Sequence, residues 1–343
     1  MNKRVSVIVT CYNHGKYIEQ CLRSIFIQTY QNIDMLVIND GSLDNSDEII
    51  SRVLKSSPFE VTEYVKQENF GVGVTRNSGI EWAEEKGNEY LLFVDSDNFL
   101  NATHIEKIVD VAESQSGDIV YGNLKNPETD EYVVISQAYT LDSLFVGNYI
   151  DNCSLFRQSI IKQARYDLAL NRKNLEDYDF ILNLIINNEA KPVYCSQIDL
   201  NYRVLQNSIS RHDDRKFYYE TYIYILDKYW LTLHEKVKNA VLENFYINVR
   251  QINDLKEHLD YLNQREKLIN SHVEILKENN RVLKENNRVL EEKNHVFEKN
   301  TTVLQEQISR LELEKKDVLN SKSYKIGHFF VLIANKFRFA NKK

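Results

Sequence analysis

Tyr90-Leu91-Leu92-Phe93-Val94-Asp95-Ser96-Asp97-Asn98 is the stretch on which the fold turns. Its opening apolar run has the length and continuity of a strand buried on both faces, and two carboxylates follow at once, two positions apart. Strand alternation points both acids to one side, where like charges repel unless something positive lies beside them. A hard divalent cation bridging a diphosphate meets that need, as oxygen-rich Mg or Mn sites do. Acidic turn residues are common, so the pair alone does not fix a function.

Working outward, the same alternation of short apolar runs and helical periodicity fills the first hundred residues. Val5 to Thr10, Ile33 to Ile38 and Phe59 to Val65 read as strands; Tyr17 to Phe26, Asp47 to Leu54 and Val74 to Lys86 read as helices. This predicts an α/β fold of βαβ units around a mostly parallel central sheet. Ligands of such sheets bind beyond the carboxyl ends of the strands. The polar segments there are Thr10-Cys11-Tyr12-Asn13-His14-Gly15, Asn39-Asp40-Gly41-Ser42, and Gln67 to Gly73 leading into Arg76-Asn77-Ser78-Gly79. Asp40 suits hydrogen bonds from a base or ribose, and Arg76 suits phosphate charge. Each also has a plain structural reading, as a turn or a helix brace. A G-x-G-x-x-G after the first strand is missing, which disfavours nicotinamide-dinucleotide enzymes.

Beyond residue 100 the pattern is less regular. Helices are expected at His104 to Ser114 and Glu176 to Asn188, strands at Asp118 to Tyr121, Pro192 to Cys195 and Ile198 to Val204. Residues 216–247 carry helical spacing and read as packing helices. From Ile252 to Val318 there is no Gly or Pro, and a heptad repeats without a break. Its d positions run Leu255, Leu262, Ile269, Leu276, Leu283, Leu290, Phe297, Leu304, Leu311 and Val318; its a positions include Glu266, Val273, Asn280, Asn287, Asn294, Ile308 and Lys315. Such a seam predicts a long coiled coil over 248–320. Leu at d with Asn at a points to a parallel homodimer, with a trimer second. The last segment, 321–343, is basic and aromatic and fits two readings: an amphipathic segment at an anionic membrane surface, or a tail packed on protein.

Four cysteines form no CxxC, and the first apolar run is too short for a signal-peptide core, so a cytoplasmic protein is expected. A net charge of -7 argues against nucleic-acid binding by the chain as a whole.

Val5 to Asn13, the Asn39-Asp40-Gly41-Ser42 turn, Arg76-Asn77-Ser78-Gly79 and Asp95-Ser96-Asp97 match in order and spacing, and over residues 1–215 the chain resembles the GT-A fold glycosyltransferases of family 2. The resemblance implies an inverting transfer from a nucleotide-diphosphate sugar, commonly a UDP-sugar, with Mn2+ or Mg2+. It assigns Asp40 to the nucleobase, and Thr10, Tyr12 and Asn13 to the nucleoside pocket. It puts Asp95 near ribose and metal, and makes Asp97 the direct metal ligand. Asn174-Leu175-Glu176-Asp177 resembles the family's acidic pair opposite the donor, which makes Asp177 the general base and Glu176 the residue that orients it or the acceptor. Both acids would also suit a helix N-terminus for its dipole alone. Arg203 and Arg211 are matched to the diphosphate. Where the family carries a metal-shell His this chain has Leu205, so that role is lost or passes to His212. The acceptor is expected to be a glycan or lipid-linked hydroxyl in surface polysaccharide or glycan synthesis, with the enzyme cytoplasmic and peripheral at the inner face of the membrane. The competing readings are a non-catalytic nucleotide-sugar or glycan binder, and a coiled-coil assembly protein at the membrane.

Overall fold

The computed structural model describes residues 3–205, 215–285 and 291–321. They fall into two compact units, Met1–Ala240 and Val241–Lys343.

The first unit begins as three parallel-strand repeats: β1 (Val5–Cys11), α1 (Ile18–Phe26), β2 (Ile33–Asp40), α2 (Ser46–Val53), β3 (Val61–Gln67), α3 (Val72–Lys86) and β4 (Tyr90–Asp95). β1 pairs in parallel with β2 and β4, and β2 with β3. The continuous apolar runs predicted this: every residue of β2 is buried, as are β1 and β4 apart from Thr10 and Asp95 near their ends. Register sets those ends side by side, with Thr10 opposite Asp95 and Cys11 opposite Asn39. Gly79 lets α3 lie close on the sheet, since a Cβ there would stand 2.7 Å from Ile8.

The rest of the unit holds α4 (His104–Ser114), β5 (Ile119–Lys125), β6 (Tyr132–Val134), α5 (Leu141–Val146), β7 (Leu155–Arg157), α6 (Gln158–Ile161), α7 (Glu176–Asn187), β8 (Pro192–Asn201) and α8 (Arg215–Tyr229). One eight-stranded sheet runs β3-β2-β1-β4-β7-β5-β6, with β8 on β5. β7 pairs antiparallel to both β4 and β5, so the parallel half joins a mixed half. The two strands expected between 192 and 204 are one, β8, with a register shift inside it. The expected boundary at residue 215 moves to Ala240, because α8 is bonded into the first unit. Its Lys228 pairs with Asp179 at 2.8 Å, and Tyr229 donates to the same carboxylate at 3.1 Å.

α9 (Glu235–Glu285) carries the chain into the second unit, where it meets α10 (Glu291–Asn320). The expected parallel coil between chains is corrected here. Leu262, Ile269 and Val273 of α9 bury themselves with Leu311, Ile308 and Leu304 of α10, and Glu266 pairs with Lys315 at 3.8 Å. Were α10 to continue along the axis of α9, Glu266 and Lys315 would stand roughly 70 Å apart at the helical rise. The helices therefore run antiparallel, and among the described residues Leu262, Ile269, Val273, Leu304, Ile308 and Leu311 of the heptad pack on one another within the chain. The basic tail lies outside the described residues. Among the described residues no helix is long and apolar enough to cross a membrane.

Candidate active site

Arg76 lies at the centre of the polar cluster. It sits on the buried face of α3, 5% exposed, and its guanidinium reaches Asp95 at 3.0 Å and Glu176 at 2.8 Å. It also stacks 5.5 Å from the centre of the Tyr166 ring. The sequence reading gave Arg76 to the donor's phosphates. Its hydrogen bonds instead make it the internal counter-ion of the site, tying the end of β4 to the start of α7.

Around it the carboxylates outnumber the positive charge. Burial, and then the field of Asp95, raise the pKa of Asp97 above its ordinary range, while His14 and Arg203 pull it back. Burial pushes Glu176 up to about 7 against the opposing pull of Arg76. Asp177 is raised for the same reason, burial first, with Arg76 and the Tyr178 N–H working against it. Asp177 accepts a 2.7 Å bond from Tyr178 N, and a carboxylate held above its usual range is a stronger base than an ordinary one.

This donor set fits a hard cation. Among the described residues no three His, Cys, Asp or Glu side chains converge as a closed metal cage. Mg2+ and Mn2+ commonly take one or two carboxylates and complete their shell with water and substrate phosphates. Asp95 and Asp97 provide that pair, and the surplus negative charge favours a divalent ion.

Arg203 is also placed differently from the sequence reading. Its guanidinium lies 4.9 Å from the ring centres of both Tyr17 and Phe99, and donates to the Asp97 carbonyl and to Gln20. Arg203 thus fastens the turn that carries the metal-side acids, rather than reaching toward a diphosphate. Arg211 and His212 lie outside the described residues, and Leu205 brings no ligand.

On the nucleotide side, Asp40 is 4% exposed and almost fully engaged. Its oxygens accept from Gln67 Nε2 at 2.8 Å and from the Phe70 and Gly71 N–H groups at 2.9 Å each. A carboxylate has about four acceptor sites, so one remains for a base N–H. Asn13, in the left-handed region at φ 55°, clamps the neighbouring turn by accepting from Leu43 N at 2.7 Å. Tyr12 stands 44% exposed beside it, a ring face open to a base, and Thr10 ends β1 opposite Asp95.

Three groups escaped the sequence reading. His14 Nδ1 bonds Ser96 Oγ at 2.8 Å, between the metal-side acids; its place in the Thr10–Gly15 segment was the available signal. Asn171 accepts from Gly73 N at 3.0 Å and donates to the Phe70 carbonyl at 2.7 Å, so the segment before α7 is fastened to the Asp40 loop. Asp151 lies within electrostatic reach of Asp95 and Asp177. No motif marked the last two.

A parallel half-sheet ending in nucleotide-side turns and an acid pair, joined through a buried arginine to a second acid pair on a helix, is the plan of a GT-A type fold. Residues 6–165 match the sequence profile described as "Glycosyl transferase family 2". "Glycosyltransferase GlyG" of Streptococcus pneumoniae is 30% identical over 181 residues, covering 49% of this chain and 58% of its own length. The chain thus spans little more than half of that relative. "UDP-Glc:alpha-D-GlcNAc-diphosphoundecaprenol beta-1,3-glucosyltransferase WfgD" of Escherichia coli is 24% identical over 268 residues, covering 76% of this chain and 98% of WfgD. The S. aureus TarS 1-349 crystal structure in complex with UDP-GlcNAc shares the fold, with a TM-score of 0.58 and 19% identity over 78% of this chain and 80% of that one.

Proposed function

We propose that this chain transfers a sugar from a UDP-sugar, with inversion, to a hydroxyl of a glycan or lipid-linked acceptor in surface polysaccharide or glycan synthesis. The observation that carries the reading is the buried Arg76 bridge, which brings the acid that ends β4 and the acids that open α7 around one guanidinium. A donor and an acceptor must meet between two such groups. The UDP-GlcNAc held by TarS and the substrates in the name of WfgD support a UDP donor and a diphosphate-lipid acceptor. A lipid-linked acceptor also favours work at the inner face of the membrane, in the cytoplasm.

In this reading Asp177 accepts the acceptor's hydroxyl proton while that oxygen bonds to the anomeric carbon from the face opposite the diphosphate. The anomeric bond to the diphosphate breaks, and UDP departs with its electron pair. Glu176 holds Arg76, and Arg76 holds Asp95, so the base and the donor side keep their spacing. Asp95 and Asp97 would hold Mn2+ or Mg2+, which when bound neutralises charge developing on the leaving diphosphate.

Nucleotide release from UDP-, GDP- and dTDP-sugars, with and without Mn2+, tests this for the wild type and Asp97→Ala. UDP release that needs the metal and disappears in the variant is the expected result. Failure of every nucleotide sugar to bind by calorimetry would remove the transferase reading and leave the assembly role.

A further inference from the structure

The acid that no motif marked adjoins Asn152, whose amide meets the Arg76 guanidinium that pairs with Asp95 and Glu176. Asp151 sits on the turn between α5 and β7, and the fields of both Asp95 and Asp177 reach it. The turn is locked. Asp151 Oδ1 accepts from Cys153 N at 2.7 Å, and the Asp151 carbonyl accepts from Ser154 N at 3.2 Å and Ser154 Oγ at 2.5 Å. Next to it Asn152, its amide turned to satisfy both neighbours, donates to Tyr166 Oη and accepts from Arg76 at 3.2 Å. The turn is therefore tied to the guanidinium that organises the site.

Burial pushes the Asp151 carboxyl up to about 7, and among the described residues no ion pair offsets that cost. Nothing in the packing of the turn requires an acid with spare acceptor capacity. Cys153 N occupies one of about four acceptor sites on the carboxylate. The turn that carries it is joined through Asn152 to Arg76, which links the donor-side acid Asp95 to Glu176 beside the base. In the reading proposed above, the diphosphate lies at Asp95 and Asp97 and the attacking hydroxyl at Asp177. The ring being transferred must lie between them, and its hydroxyls are hydrogen-bond donors.

We propose that Asp151 accepts hydrogen bonds from hydroxyl groups of the donor sugar, and so helps to select which UDP-sugar is used. The inference rests on the transferase reading and adds to it a residue that binds the sugar rather than the nucleotide. A turn fixed on both sides holds such a group in one geometry, which discrimination between sugar epimers demands.

The test is calorimetry on the full chain with Mn2+, titrating UDP and a panel of UDP-hexoses and UDP-N-acetylhexosamines into wild type, Asp151→Asn and Asp151→Ser. UDP carries no sugar, so its binding also reports that each variant is folded. We expect UDP affinity to hold within about twofold, while the preferred UDP-sugar weakens by about tenfold or more, the loss typical of a hydrogen bond to a charged group. An unchanged ratio of UDP-sugar to UDP affinity in both variants would overturn the proposal. So would equal weakening of UDP and UDP-sugar, which would make Asp151 a prop of the nucleotide pocket. If wild type binds neither, the transferase reading fails and takes this inference with it.

Discussion

Replacing Arg76 by Met is the sharpest test of the site's construction. Met keeps much of the side chain's bulk over Tyr166 but removes the charge between Asp95 and Glu176. At separations of 3.0 and 2.8 Å, and an effective dielectric constant of about 20, each contact is worth roughly 5 to 6 kcal/mol of gross attraction. Desolvation of the guanidinium cancels much of that. What the deletion exposes is the cost of leaving acids buried without a partner, about 3–5 kcal/mol. Protonation limits that cost. Glu176 already stands at about 7, so a further rise adds at most about 1–2 kcal/mol at about pH 8 and almost nothing at about pH 5.5.

The sign follows directly. Loss of Arg76 raises the folded-state value of Glu176 further above its unfolded one, so the folded protein binds more protons across that window. Stability is then lost as pH rises through the window, and the penalty is complete above the folded value. Both tryptophans, Trp82 and Trp230, lie in the first unit, so tryptophan fluorescence during urea unfolding reports on this unit within the full chain. Arg76→Met should be destabilised at both pH values and lose about 1–2 kcal/mol more at about pH 8 than at about pH 5.5. A loss below about 1 kcal/mol that is the same at both pH values would refute the claim that Arg76 neutralises the site.

Two further outcomes follow from the geometry. Gly41 sits at φ 73° and a Cβ would stand 2.6 Å from Asn69 N, so Gly41→Ala should cost about 1–3 kcal/mol in the same unfolding assay and weaken UDP by calorimetry. Wild-type stability and affinity in that variant would show that the loop accommodates a side chain. With cysteines placed at Glu266 and Lys315, and the native thiols buried, a short bis-maleimide should join the two positions within one chain and leave a monomer on a denaturing gel. Dimers linked at equivalent positions would restore the parallel coil.

Much of the site was legible because strand ends are locally encoded. A buried strand shows itself by continuous apolar residues, and in β1, β2 and β4 those residues stop where the ligand side begins. The mixed half of the sheet gave less away, since β6 and β7 have three residues each and show no period. The protein contacts of the arginines were hidden for a different reason. An arginine that follows a glycine-rich turn suggests phosphate, yet Gly73, Thr75, Arg76, Gly79, Ile80, Trp82 and Ala83 are all buried along α3. A cation on a helix enclosed on several sides needs internal acids, and these came from Glu176 and Asp95, distant in sequence. Arg203 was likewise claimed by Tyr17 and Phe99, rings that no local pattern links to it.

The heptad carried its own correction. Glu266 and Lys315 are charged residues at a positions, where an in-register parallel pair sets each residue against its copy. Glutamate would then face glutamate and lysine face lysine, two layers of like charge in the seam. Folding α10 back on α9 removes both conflicts and turns the two exceptions into one ion pair, while Leu262, Ile269, Val273, Leu304, Ile308 and Leu311 still bury each other. Period and apolar content do not distinguish these arrangements, because both helices of either one need the same stripe. Charge at the seam does, since it depends on which residue lies opposite. The charged a positions are thus the part of the repeat that specifies an antiparallel partner within the chain.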